Sequence, residues 1–123
     1  MEENSSKPEP LRKRSDFLRV QNHGKRFKDN AMLLLIDRGV ETKTRVGYTI
    51  SRKVGNAVVR NRVRRRMREV IRNHRDVLNP GYDHVIIAFP RAARLTFANL
   101  QEELLCLLNK AHAWASAKPS SSP

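Results

Sequence analysis

Residues 51–76 read SRKVGNAVVRNRVRRRMREVIRNHRD, and the way they fold decides what surrounds them. They carry Arg52, Lys53, Arg60, Arg62, Arg64, Arg65, Arg66, Arg68, Arg72 and Arg75 against two acids, Glu69 and Asp76. Gly55 and Asn56 break the preceding pattern, and asparagine is a good N-cap, so a helix is predicted to start there. Val59, Val63, Met67, Val70, Ile71 and Val77 recur at steps of three and four. At about 100° per residue they fill one arc of that helix. Asn61, Arg64, Arg65, Arg68, Arg72 and Arg75 fall on the opposite arc, and Arg60 and Arg66 border the seam. One face suits a core and the other a polyanion.

All eight basic residues from Arg60 to Arg75 are arginine. Guanidinium holds phosphate oxygens bidentately and stacks on bases better than ammonium does. The row Arg60, Arg64, Arg68, Arg72 places like charges at i, i+4 three times, each costing a few tenths of a kcal/mol. A bound polyanion would offset that cost. The competing reading is a solvated charged face, but such faces usually mix signs.

The chain has 123 residues and a formal net charge of +13, with 39% hydrophobic residues. That suits one domain with a real core rather than a disordered basic tail. Such a charge on a folded domain points to nucleic acid, with a membrane surface as the weaker alternative. The longest apolar runs, Met32–Ile36 and Leu104–Leu108, are far too short to span a bilayer. The start, MEENSSKPEP, is not a secretory signal. The one cysteine, Cys106, forms no intrachain disulfide and fits a reducing cytoplasm.

Residues 1–10 are expected to be a disordered tail, 11–115 a nucleic-acid-binding domain and 116–123 a second disordered tail. A short helix is predicted from Leu11 to Gly24, with Ser15 as its N-cap and Gly24 as its stop. Asn30–Arg38 reads as a strand apolar on both sides, and Gly39–Thr44 as a turn. Arg45–Ser51 alternates as a half-exposed strand, hairpin-paired with its predecessor. A further short strand fits around Lys25–Lys28. Asn79, Pro80 and Gly81 form a turn. Asp83–Phe89 reads as a buried strand, and Thr96 caps a last helix striped with Phe97, Leu100, Leu104, Leu107, Leu108 and Ala111. The fold class is a small single α/β (α+β) domain with one sheet and packed helices.

Four scattered histidines and one cysteine make no zinc spacing. No phosphate-binding glycine loop is present. No carboxylate pair lies in the basic region to support metal-assisted phosphodiester cleavage, so no catalytic residue is assigned. Phe17 reads either as core or as a stacking platform for unpaired bases, and Tyr48 shares that ambiguity.

VGNAVVRNRVRRRMREVIR resembles the RNR motif of the bacterial ribonuclease P protein subunit. RSDFLRVQNHGKRF is similar to that family's first helix, RVGYTISRKVGNA to its strand leading into the motif, and YDHVIIAFPRAA to its last strand. The resemblance covers Leu11 to Trp114. It implies a fold of the ribosomal-protein-S5 domain 2-like type with a left-handed strand–helix–strand crossover. It also implies a catalytic RNA partner, precursor tRNA as substrate, and magnesium acting through the RNA, which cuts off the tRNA 5′ leader. By position it makes Arg60, Asn61 and Arg62 the RNR triplet, extended toward RNA by Arg64, Arg65, Arg68 and Arg72. It places Phe17, Arg52 and Lys53 on the leader, with Tyr48 as a further contact. Gln21 and Leu35 depart from the family pattern, where relatives place a second aromatic and a tyrosine.

Two other readings compete: a structural RNA-binding protein without substrate contact, and a protein nuclease in its own right. Handedness sets physics against the resemblance. Crossovers between parallel strands are right-handed in about 98% of cases. The long motif match favours the left-handed form, with Asn61 and Arg64 exposed and Val63 and Met67 buried. Oligomeric state is not legible in the sequence.

Overall fold

In the run MLLLIDR, consecutive aliphatic side chains alternate between two faces, so both faces of that strand must be covered. The computed structural model, which describes residues 8–39 and 43–117, does this. Five strands form one mixed sheet: β1 (Glu9–Pro10), β2 (Lys25–Lys28), β3 (Met32–Arg38), β4 (Arg45–Ile50) and β5 (Tyr82–Ala88), in the order β1-β4-β5-β3-β2. Met32, Leu34 and Ile36 enter one core with Val46, Ile50 and Ile86. Leu33 and Leu35 enter a second core on the other face with Leu11, Val20 and Val85.

The expected hairpin between β3 and β4 does not form. β5 lies between them, antiparallel to β3 and parallel to β4. The reason is burial: β3 and β5 are apolar on both faces and take the centre, whereas half-polar β4 is displaced outward. Residues 40–42 of the expected turn lie outside the described residues. The short β1 pairs parallel with β4, so Glu9 and Pro10 belong to the sheet rather than to a tail. Residues 1–7 and 118–123, the remainder of the expected tails, lie outside the described residues. The last helix runs on to Ala117.

Helix α1 (Arg14–His23) starts one residue before Ser15 and carries no side-chain cap. The Asp16 and Phe17 amides donate instead to the Lys13 carbonyl. Helix α2 (Ala57–Asn73) is capped by Asn56, whose side chain accepts from the Val59 amide at 3.0 Å. Val63, Met67, Val70 and Ile71 are its buried stripe. Helix α3 (Phe97–Ala117) begins where the Asn99 amide donates to the Thr96 hydroxyl. α2 and α3 share the first core. α1 alone covers the second, leaving Ile87 and Phe89 half-buried at its margin.

The hand of the β4–α2–β5 crossover follows from chirality. The Val46 carbonyl accepts from the Leu11 amide and so points toward β1. The Val46 side chain points into the core beneath α2. For an L-residue facing the viewer on a strand running upward, the residue's own N–H and C=O point right. Seen from α2, β1 therefore lies right of β4 and β5 lies left. A helix crossing in front of the sheet to a parallel strand on the left is a left-handed connection, the rare form. Val63 and Met67 are fully buried and Asn61 is exposed as expected, while Arg64 is only half-exposed.

His84 is buried at 1% exposure. Its Nε2 accepts from the Asn79 amide at 3.4 Å, which places the proton on Nδ1, 3.2 Å from the Arg45 carbonyl. Burial pushes its pKa down from 6.5 to about 4, against the opposing pull of the Arg45 carbonyl and Asp83. The folded state thus binds this proton less readily than the unfolded chain. The resulting stability is fully present above pH 6.5 and is lost as pH falls toward 4. Urea denaturation between pH 7 and pH 4 is expected to show that loss, and His84→Gln to flatten the slope. An equally steep slope in the variant would place the titration elsewhere.

Candidate nucleic-acid interface

The angle of each arginine around α2 decides what it does. Arg60, beside the seam, donates from Nε to the Gly55 carbonyl at 3.1 Å. Arg62 donates to the Ala93 carbonyl at 3.2 Å and Arg66 to the Leu95 carbonyl at 3.1 Å. Both acceptors belong to the segment around the 3₁₀ turn Pro90–Arg94. Arg62 and Arg66 fasten the helix to that segment, Arg60 closes only the turn at the helix start, and of the RNR triplet only Asn61 is exposed. Arg65, Arg68 and Arg72 stand exposed on the outer arc. Arg64 donates to Asn61 at 3.2 Å, and Arg72 pairs with Glu69 one turn back.

Where α2 overhangs the β1–β4 edge, a groove of about 500 Å³ opens. Arg64, Arg68, Arg72 and Arg75 line one wall, Pro8, Glu9, Pro10 and Leu11 another, and Val46, Gly47, Tyr48, Ile71 and Phe17 the rest. Phe17 and Tyr48 reach it from opposite faces of the sheet. Tyr48 packs with the α2 core and Phe17 with the α1 core. Gly47 makes the Phe17 position possible: a Cβ there would lie 2.4 Å from the Phe17 ring. Burial raises the Tyr48 phenol to about 12 against the nearby charge of Arg68, so it stays protonated. The groove thus unites Phe17, Tyr48, Arg64, Arg68 and Arg72 from the sequence prediction. Arg52 and Lys53 stand exposed on the loop after β4, outside its lining. Leu35 is fully buried under α1 and belongs to no open surface, and Gln21 is half-buried.

Sequence reasoning missed the charge cluster that seats α1. Asp83, at 0% exposure, receives Arg45 through two hydrogen bonds of 2.8 Å and also pairs with Arg19. Arg19 reaches Asp37 at 2.8 Å, and Arg45 reaches Asp16 at 3.3 Å. Burial alone would raise the Asp83 carboxyl, but the bonds from Arg45 and Arg19 outweigh it and hold the group below its ordinary 3.8. Five residues from α1, β3, β4 and β5 meet here, and no local pattern announces that.

The family model described as Ribonuclease P matches residues 6–112. The ribonuclease P protein component of Clostridioides difficile is 38% identical over 101 residues, covering 81% of this chain and 89% of the relative. That of Brucella melitensis biotype 1 is 44% identical over 104 residues, covering 76% of this chain and 73% of the relative. Among solved structures, the Staphylococcus aureus RNase P protein superposes with a TM-score of 0.77 at 27% identity, covering 83% of this chain and 94% of that one. The Thermotoga maritima RNase P protein superposes with a TM-score of 0.75 at 32% identity, covering 83% and 96%.

Removing the carboxylate from the cluster leaves two guanidiniums facing a neutral amide. Asp83→Asn is expected to cost about 3–5 kcal/mol of stability, the usual effect of breaking a buried ion pair from one side. Urea denaturation at pH 7 measures it. A loss below about 1 kcal/mol, the range of exposed pairs, would show that the cluster does not hold α1 in place.

Proposed function

We propose how the interface works from one premise: this chain belongs to the ribonuclease P protein family. It is a subunit of ribonuclease P, part of an endoribonuclease complex that acts in tRNA processing. The finer reading is that the chain binds the catalytic RNA and precursor tRNA, and that the RNA makes the magnesium-dependent cut that releases the 5′ leader. Among the described residues no three of His, Cys, Asp and Glu come together to hold a metal ion. We assign the magnesium of the reaction to the RNA. A cytoplasmic site of action accords with that role. No helix among the described residues is long and apolar enough to cross a membrane.

The observation that carries this reading is the outer arc of α2. Asn61, Arg65, Arg68 and Arg72 are exposed on a helix whose other face is locked into the core. Each such arginine can displace counterions from one phosphate, which gives sequence-independent affinity for a folded RNA. Arg62 acts differently, by tying the helix to the segment after β5, while Arg60 bonds the turn at the helix start. On the sheet side, Phe17 offers a half-buried ring, with Arg52 and Lys53 beyond the end of β4 as cations for a single-stranded leader.

The decisive assay is 5′ processing of precursor tRNA at low magnesium with protein alone, catalytic RNA alone, and both. Cleavage is expected only where the RNA is present, and most efficiently with both. Cleavage by the protein alone that a point substitution abolishes would overturn the reading.

Substitutions separate the two surfaces. Arg65→Ala and Arg68→Ala are each expected to lower the log–log salt slope of RNA binding by about one. Phe17→Ala should weaken binding of leader-bearing tRNA by about 1–3 kcal/mol and leave mature tRNA nearly unaffected. Equal losses for both substrates would make Phe17 only a packing residue against Gly47.

A further inference from the structure

The two edges of the sheet are furnished differently. At one, α2 overhangs β1 and β4; at the other, β2 has a strand on one side only. The register fixes which groups β2 presents there. The Asp29 amide donates to the Met32 carbonyl at 3.0 Å, and bonded and non-bonded pairs alternate back from it along the strand. Phe27 and Lys25 therefore bond to Leu34 and Ile36, while Arg26 and Lys28 turn their amides and carbonyls outward. The next strand agrees. The Phe89 amide donates to the Ala31 carbonyl at 2.8 Å, so Leu33, opposite Lys28, bonds to β5 instead. Donors and acceptors in alternation are thus left on the free edge, the groups that an added strand uses.

The charge along this edge is of one sign. Lys25, Arg26 and Lys28 are exposed, and among the described residues none of them pairs with an acid. Asp29 Oδ1 instead accepts the Ala31 and Met32 amides at 2.8 and 2.9 Å, and Asp37 holds Arg19. Residues opposite one another in a sheet share a face. Arg26 and Lys28 therefore stand with Leu35 and Leu33 on the α1 face, and Lys25 with Ile36 on the α3 face. The Lys28 ammonium lies 5.8 Å from the Phe89 ring and that of Lys25 5.8 Å from Trp114, so a ring anchors a cation on each face.

Charged edges keep sheets from pairing with copies of themselves. Two β2 strands laid together would set like cations against each other, so a second copy is refused. The same cations select a strand that carries acids on both faces. Phosphates only accept hydrogen bonds and cannot satisfy the Arg26 and Lys28 carbonyls, whereas a peptide strand answers both kinds of group. We infer that β2 takes up an extended acidic segment of a partner protein as a further strand of the sheet. β3 and β5 separate this edge from β4, so the partner docks across the sheet from the α2 groove.

Trp114 is the one tryptophan of the chain, and Lys25 over its ring ties its fluorescence to this edge. The test titrates the isotope-labelled full chain, followed by that fluorescence and by backbone amide NMR. The probes are a short peptide of threonine and glutamate with acids on both faces, the same peptide N-methylated on alternate residues, and a single-stranded RNA of equal charge. The parent peptide is expected to shift the Arg26 and Lys28 amides and slow their hydrogen exchange. It should bind at least about fivefold more tightly than the N-methylated peptide, the low end of what two hydrogen bonds contribute. Arg26→Pro, which removes an amide that makes no bond within the sheet, should abolish binding. Arg26→Gln keeps the amide and should bind more weakly, with a smaller salt dependence. Equal binding of the two peptides, tighter binding of the RNA at these amides, or no shift at Arg26 and Lys28 would each overturn the inference. The N-methylated peptide decides even where Arg26→Pro fails to fold.

Discussion

The carboxylate of Asp83 is the constraint on which the layout of the domain depends. Desolvating a charge is costly, and the cost is recovered only with well-placed partners. Here Arg45 holds it with two parallel bonds and Arg19 adds a third. Arg45 sits on the neighbouring strand and Arg19 on α1, so one buried anion ties the helix to the sheet. Little else holds α1: Val20 is its one buried residue, and no side chain caps its start. Apolar contact alone would leave the helix free to slide on the sheet. The ion cluster is directional and fixes where Phe17 meets Gly47.

The same placement sets the two surfaces. With α1 fixed over one end of its face, Ile87 and Phe89 remain half-buried beyond it, and the Lys28 ammonium lies 5.8 Å above the Phe89 ring. On the opposite face, α2 and α3 close the larger core. The β4 edge joins the two sides, because Phe17 and Tyr48 meet at the groove from opposite faces. His84 pins that edge from within, bonding the Arg45 carbonyl of β4 and the turn before β5. With its pKa pushed down to about 4 by burial, it stays neutral in the folded protein.

Elements defined by near neighbours were legible in the sequence. The seam Val63, Met67, Val70, Ile71, the cap at Asn56 and the cap at Thr96 follow from spacing and side-chain type. Strand order was not, because it compares burial across the whole chain: Asn30–Arg38 and Arg45–Ser51 look like a hairpin until Asp83–Phe89 competes for the centre. The Asp83 cluster was hidden for the same reason. Its members at 16, 19, 37, 45 and 83 are spread over four elements, and Asp83 reads locally as the polar start of an apolar strand. On α2 the outer arc was legible, but the bonds of Arg62 and Arg66 to the Ala93 and Leu95 carbonyls depend on a segment about 30 residues away.

One residue type thus serves two purposes on one helix, and geometry alone separates them. The row Arg60, Arg64, Arg68, Arg72 should repel itself by about 0.2–0.5 kcal/mol per pair. The fold gives three of the four a local acceptor, of which only Glu69 is charged. Arg60 turns to the Gly55 carbonyl, Arg64 to Asn61 and Arg72 to Glu69, while Arg68 is left beside the Tyr48 phenol. These local bonds are single and largely exposed, so they are weak and exchangeable. A phosphate offers a guanidinium two charge-assisted bonds in place of one. The arc is therefore presented on a rigid helix and only loosely engaged locally, as the proposed RNA-facing surface requires. Arg62 and Arg66, bonded to backbone carbonyls and half-buried, do not share that freedom. Their bonds hold the helix against the segment that follows β5.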